Sequence, residues 1–304
     1  FSRAIIIQVL SHIIMKSFLV LCAWLPLPVL HGIARIWGSA LSIIPNRSRA
    51  TTRTNLKACF PDYSPAEISR LTRASLVNTA CTAMEMGKAW LGPIEKTLSL
   101  VVDHDADGMQ SFSAAVESGS GVILLAPHLS NWEILGFYIQ EIHQTTFLYQ
   151  PLRQPALDKL IREARSRSGV KMAPTNRKGV AQLLKALQSG EIIAVLPDQV
   201  PADESGMYAP FFGVPALTMT LVSKLTQRTG AKVFCGFAQR LPKGKGFKVV
   251  LQEANPAVFS NNLEESITGL NESVEHSVEL AVAQYQWEYK RFRRQPDGED
   301  FYQE

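Results

Sequence analysis

Two side chains suited to moving a proton follow one apolar run: His128 and Glu133, in Gly121-Val-Ile-Leu-Leu-Ala-Pro-His128-Leu-Ser-Asn-Trp-Glu133. Histidine changes charge near neutral pH, and an adjacent carboxylate fixes its tautomer and stabilises its protonated form. The run before Pro127 has strand character and an amphipathic helix follows it. That places the pair at the C-terminal end of a buried strand, where open α/β sheets hold their ligands. Residues five apart on one helix do not share a face. His128 is therefore expected before the helix, with Glu133 in the first turn reaching back to it. The same residues, Ser130-Asn-Trp-Glu133, also match a capping box in which Glu133 bonds back to the N-cap amide. The two roles are compatible.

The elements that must position this pair are legible around it. A capping box, Ser64-Pro-Ala-Glu67, opens a helix over 64–90. Beyond it the patterning predicts strands over 121–126, 145–149, 191–196, 231–237 and 247–251. Helices are expected over 131–140, 155–168, 177–188, 215–229 and 263–284. This alternation predicts an α/β fold with a mostly parallel sheet flanked by helices, and residues 62–304 read as one such domain. Neither a repeat nor a low-complexity linker divides it.

Residues 1–61 differ in kind. The chain carries a formal net charge of +4, yet no acidic residue precedes Asp62, while Arg3, Lys16, Arg35, Arg47, Arg49, Arg53 and Lys57 do. The apolar stretches before residue 45 are too long for a signal peptide and lack a clear cleavage site. Pro26, Pro28, His31 and Arg35 interrupt a single membrane span, so a half-inserted hairpin or an interfacial helix fits equally well. The basic cluster Arg47, Arg49, Arg53 and Lys57 then marks a cytoplasmic side and attracts anionic headgroups. A buried core helix with a solvated basic turn is the alternative. We read 1–61 as a membrane-associating segment with the bulk of the chain in the cytosol.

Other chemistry has little support. Cys22, Cys59, Cys81 and Cys235 form no C-x-x-C pair and suit a reducing compartment as buried thiols. Asp103-His-Asp-Ala-Asp107-Gly108 begins like a calcium loop, but the required glutamate falls on Ala114, so a solvated turn is expected. Neither a metal site, nor a P-loop, nor a dinucleotide fingerprint, nor G-x-S-x-G is present, and nothing points to nucleic acid.

His128-x-x-x-x-Glu133 after an apolar strand resembles the H-x4-D/E signature of glycerolipid-type acyltransferases. The wider pattern resembles the bacterial lipid A late acyltransferases. It includes Asn55-Leu-Lys-Ala-Cys59-Phe-Pro61, Asn131-Trp132, Tyr149-Gln-Pro-Leu-Arg153, Arg165-Ser-Arg167, Leu196-Pro-Asp198-Gln199, Pro210-Phe-Phe-Gly213-Val-Pro-Ala216-Leu-Thr218 and Gln284-Tyr-Gln-Trp287-Glu-Tyr-Lys-Arg291-Phe292. Gln150 stands where many members carry Arg, and Tyr289 where many carry His.

The resemblance implies a glycerolipid-acyltransferase-like fold with an N-terminal membrane-anchoring helix, on the cytoplasmic face of the inner membrane. It implies a fatty acyl donor on acyl carrier protein, a hydroxyl of a lipid A precursor as acceptor, and no cofactor. His128 would be the general base and Glu133 its orienting partner. Arg165 and Arg167 are candidates for the oxyanion or the lipid phosphates, with a solvated face beside Lys159 and Arg162 as the plainer reading. Substrate contacts are also implied for Asn131, Arg153 and Asp198, the last by its place at the end of a buried strand. Phe211, Phe212 and Leu217 would line an acyl groove or belong to the core. The run Lys290-Arg-Phe-Arg-Arg294 would meet the acidic carrier protein or anionic lipid. The same chemistry on another glycolipid or phospholipid, with acyl-CoA as donor, and a non-catalytic lipid-binding protein are the alternatives.

Overall fold

A computed structural model describes residues 3–152 and 154–303, with side chains from residue 13 onward; Arg153 lies outside the described residues. Three helices come first: α1 (Arg3–Trp24), α2 (Leu27–Ile43) and α3 (Arg47–Cys59). The long α4 (Pro65–Leu91) follows, started by the expected capping box between Ser64 and Glu67. The α/β part then runs α5 (Ile94–Leu98), β1 (Val101–His104), α6 (Ala106–Glu117), β2 (Val122–Leu125), α7 (Trp132–Ile142), β3 (Thr145–Tyr149), α8 (Pro155–Arg167), β4 (Lys171–Pro174), α9 (Arg177–Gln188) and β5 (Ile192–Val195). A hairpin of β6 (Gly206–Phe211) and β7 (Val214–Met219) precedes α10 (Leu221–Thr229), β8 (Lys232–Arg240), β9 (Phe247–Glu253) and α11 (Leu263–Glu279).

Seven strands form one sheet in the order β1-β9-β8-β2-β5-β3-β4. All neighbours are parallel except β8 and β9. The central strands β2 and β5 read Val-Ile-Leu-Leu and Ile-Ile-Ala-Val, without alternation, and every one of these residues is buried. That is the pattern of strands covered on both faces. Each side chain of this size removed from water contributes roughly 1.5–3 kcal/mol. The two strands run in register from Val122 opposite Ile192 to Leu125 opposite Val195. One further bond, from the Ala126 amide to the Val195 carbonyl, extends the ladder before Pro127 and Pro197, which have no amide to donate. Both chains therefore leave the sheet at the same level.

Several sequence expectations change. Asp103–Gly108 is largely solvated as expected but is not a turn: β1 ends at His104, and the Asp105 side chain accepts from the Gly108 amide as the N-cap of α6. Residues 215–219 are strand, because Phe212 and Gly213 both take positive φ (48° and 76°) and close a two-residue hairpin with β6. Helix α10 begins only at Leu221. Helix α11 stops at Glu279, and a single 3-10 turn covers Val282–Gln284.

The N-terminal helices lie on α4. Helix α2 buries Leu27, Leu30, His31, Ala34 and Gly38 on one face. Gly38 is required there, since a Cβ would stand 2.4 Å from the Val77 Cα. The opposite face shows Val29, Ile33, Ile36, Trp37 and Leu41 to solvent, continuing into Ile43 and Ile44 and, on α1, Trp24 at 83% exposure. Among the described residues no single helix is long and apolar enough to cross a membrane; α2 and α3 together reach that length and composition but are bent by 79°.

Candidate functional site

The level exits of β2 and β5 set the site. His128 stands three residues past the end of β2 and Asp198 three past the end of β5. The register of the strands thus places them side by side. The His128 Nδ1–H donates to Asp198 Oδ1 at 2.9 Å, and the His128 backbone amide donates to Asp198 Oδ2 at 2.8 Å. One carboxylate holds both the ring and the chain that carries it. Burial by itself would raise the Asp198 carboxyl, but the His128 charge and these bonds outweigh it and hold the group below its ordinary range. With Asp198 ionised, the proton of the neutral imidazole sits on Nδ1 and the lone pair on Nε2. The imidazole leans on the Trp132 ring, with centroids 4.7 Å apart.

The loop after His128 is laced to the chain past α11. The Ser130 amide donates to the Gln284 carbonyl at 2.8 Å, and the Gln286 amide to the His128 carbonyl at 3.0 Å. Ser130 takes a positive φ of 56° to make this turn. Asn131, not Ser130, caps α7, its side-chain oxygen accepting from the Ile134 amide.

Glu133 does not take the place expected of it. Both its oxygens accept from Arg165, at 3.1 Å from Nε and 2.6 Å from Nη2, in a buried bidentate pair. The carboxylate bonded to His128 is Asp198. The reason is geometric: the turn at Ser130 starts α7 one residue later, and the first turn points Glu133 at α8. Arg165 is in turn committed. Burial would depress its guanidinium, but Glu133 more than compensates and holds it charged. Arg167 donates to the Trp90 and Gly92 carbonyls instead. Lys159 and Arg162 lie exposed along α8, each beside a carboxylate one turn away.

A second buried centre lies behind the loop. Glu85, fully buried on α4, accepts from Arg240 Nε and Nη2 and from His31 Nε2, and Asn131 Nδ2 donates to its Oε2 at 3.1 Å. Burial pushes this carboxyl up, but Arg240 and the bonds from Arg240 and His31 win and hold it at about 2. Arg240 also reaches Asn78 and Thr82, and its backbone amide donates to Ser130 Oγ. Asn131 thus serves the loop rather than facing solvent.

Two residues that the sequence reading quoted without giving them a role at the site also meet it. Gln199 Nε2 lies 3.1 Å from His128 Nε2. The Tyr289 hydroxyl accepts from the Val200 amide at 2.9 Å and pins the loop that carries Asp198 and Gln199. The signal for the first was present: Ala126-Pro127-His128 and Leu196-Pro197-Asp198 are twin strand endings, and Gln199 follows the second. Phe211, Leu217 and Arg291 are buried, the last donating to the Leu217 carbonyl and to Thr218. Only part of the terminal basic run is therefore presented to solvent. All four cysteines are buried, and burial pushes Cys81 to about 11 and Cys235 to about 12. Among the described residues no cluster could hold a metal ion.

Fold and site together define an α/β protein with a histidine held by a buried aspartate at the ends of two central parallel strands. A family model described as bacterial lipid A biosynthesis acyltransferase matches residues 4–294. The chain belongs to that family. A lipid A biosynthesis lauroyltransferase of Escherichia coli is 27% identical over 276 residues, 90% of this chain and 88% of its own. A lipid A biosynthesis acyltransferase of Haemophilus influenzae is 28% identical over 287 residues, 91% of this chain and 88% of its own. Similarity to a phosphatidylinositol mannoside acyltransferase of Mycobacterium tuberculosis covers less, 26% identity over 161 residues, 51% of this chain and 50% of that one.

Proposed function

We propose that this chain transfers a fatty acyl group from the thioester of acyl carrier protein to a hydroxyl of a lipid A precursor, with His128 as general base. The observation that carries the reading is the His128–Asp198 pair at the strand ends, in a chain that belongs to an acyltransferase family. The acceptor oxygen attacks the thioester carbonyl carbon as its proton passes to His128 Nε2. The carbon–sulfur bond then breaks, and the imidazolium returns the proton to the leaving sulfur. Asp198 keeps the ring in the tautomer this requires and stabilises its charged form. Glu133 acts through Arg165, as a positioning residue that fixes the first turn of α7.

Attachment to the cytoplasmic face of the inner membrane is part of the same proposal. The apolar outer face of α1 and α2 and the basic residues of α3 support it, because an exposed apolar face of this extent marks a contact surface and the adjoining cations suit anionic headgroups.

The test is mass spectrometry of a lipid A precursor incubated with acyl carrier protein thioesters and the purified protein, wild type beside His128→Ala. A gain of one fatty acyl group with wild type alone is expected. Transfer to a phosphatidylinositol mannoside, or from acyl-CoA in preference, would move the assignment to the acceptor class that the partial similarity suggests. Transfer that survives His128→Ala would remove the base, and binding without any transfer would leave a lipid-binding protein.

A further inference from the structure

A base that takes a proton from a hydroxyl needs its lone pair free, and in this structure it is occupied. Asp198 holds the ring proton on Nδ1, so the Gln199 carboxamide, 3.1 Å from Nε2, must donate an N–H into that lone pair. The imidazole is only 11% exposed, whereas Gln199 stands in solvent. The acceptor oxygen must come within about 2.6–3.2 Å of Nε2 to be deprotonated, which is the place the amide nitrogen now takes.

A second requirement of the reaction has no other group assigned to it. The tetrahedral intermediate puts a negative charge on the former carbonyl oxygen, which needs a donor. The amides of the three residues from His128 onward are committed: His128 to Asp198, Leu129 to the Pro127 carbonyl, and Ser130 to the Gln284 carbonyl. Arg165 is buried against Glu133. Gln199 is a neutral side chain with two N–H donors, exposed, at the reacting nitrogen, and tethered one residue from the buried Asp198.

We propose that Gln199 is a catalytic residue of the acyl transfer, covering His128 Nε2 in the free protein and donating to the thioester carbonyl oxygen once the acceptor hydroxyl has taken its place. This rests on the acyl-transfer reading above. Displacement exchanges one hydrogen bond on Nε2 for another, so it costs little. The amide freed by the hydroxyl is then beside the carbon that hydroxyl attacks. The carboxamide forms no covalent bond and moves no proton. It stabilises the oxyanion until the carbon–sulfur bond breaks and the ester carbonyl forms.

The experiment compares wild type with Gln199→Met, which keeps the length of the side chain and removes its donors. Steady-state transfer from an acyl carrier protein thioester is measured with kcat and acceptor KM resolved, together with the rate at which diethyl pyrocarbonate modifies His128 in the free protein. Expected are a fall in kcat of about 10²-fold, as for loss of one oxyanion donor, an unchanged or lower acceptor KM, and several-fold faster modification of His128. An unchanged melting temperature separates this from a structural defect. Wild-type transfer with undiminished kcat in Gln199→Met overturns the proposal and leaves the acyl-transfer reading intact. So does a fall in kcat with unchanged His128 modification, since Gln199 would then not cover the base. Wild type without transfer from any thioester overturns the reading and the proposal together.

Discussion

Two buried carboxylates flank the same loop, and their partners give them opposite roles. Glu85 is met by the Arg240 guanidinium, His31 and Asn131, so both its oxygens are taken. Asp198 is met by the imidazole and the backbone amide of His128, with the Tyr285 hydroxyl also beside it. A guanidinium keeps its charge at any accessible pH, so a pair built on it is permanent. An imidazole is suited to exchanging a proton, so a pair built on it can change charge. The first arrangement is a support that ties α2, α4, α7 and β8 behind the loop. The second is the part of the loop that reacts in the proposed function. Burial of an acid therefore does not identify a reactive site; the kind of cation beside it does.

The largest effect should come from the reactive member. His128→Ala and Asp198→Asn are each expected to lower kcat by about 10³-fold or more with little change in melting temperature, read as acylated product by mass spectrometry. Near-normal turnover in Asp198→Asn beside an inactive but stable Glu133→Gln would instead make Glu133 the partner of the base. Next in size is the support. Arg240→Met leaves Glu85 buried without its guanidinium and should cost about 3–5 kcal/mol in urea denaturation, with the Glu85→Met/Arg240→Met double variant losing less. Equal losses would mean that the pair is not what holds the loop. Arg165→Met, opposite Glu133, is expected to behave the same way in the same measurement.

Acid comes third. The Glu85 carboxyl lies at about 2 in the fold against an ordinary value of 4.5. Its folded value is lowered, so its contribution to stability is complete above about pH 5 and is lost as pH falls toward about 2. Arg240→Met should flatten that part of the stability–pH curve. The smallest effect concerns the cysteines, of which Cys235 is 1% exposed with its thiol raised to about 12. Thiol reagents at neutral pH should leave Cys235 unlabelled in the folded protein and label it in urea; rapid labelling of the native state would show that this part of the core opens.

Much of this was legible from residue types. Unalternating Val-Ile-Leu runs announced central strands, and Ser64 with Glu67 announced the start of α4. Local pattern failed where a single backbone angle decides. The positive φ of Phe212 turned an apparent helix start at Pro215 into a strand, and that of Ser130 moved the cap of α7 to Asn131 and swung Glu133 away from His128. The pairing of His128 with Asp198 spans 70 residues and depends on which strands are neighbours, which spacing within one segment cannot reveal. The twin endings before Pro127 and Pro197 were the one local trace of it.

That separation along the chain also bears on when the protein becomes active. His128 acquires its partner only when β5 docks beside β2, and its loop is fixed only when residues 284–286 bond to it. Parallel strands brought together across a long crossover close slowly, because the entropy of the intervening loop is lost before any pairing is gained. A chain emerging from synthesis therefore carries His128 long before the imidazole has its partner. The loop is complete only once residues 284–286 are in place, so products that end before them are expected to be silent rather than indiscriminately reactive.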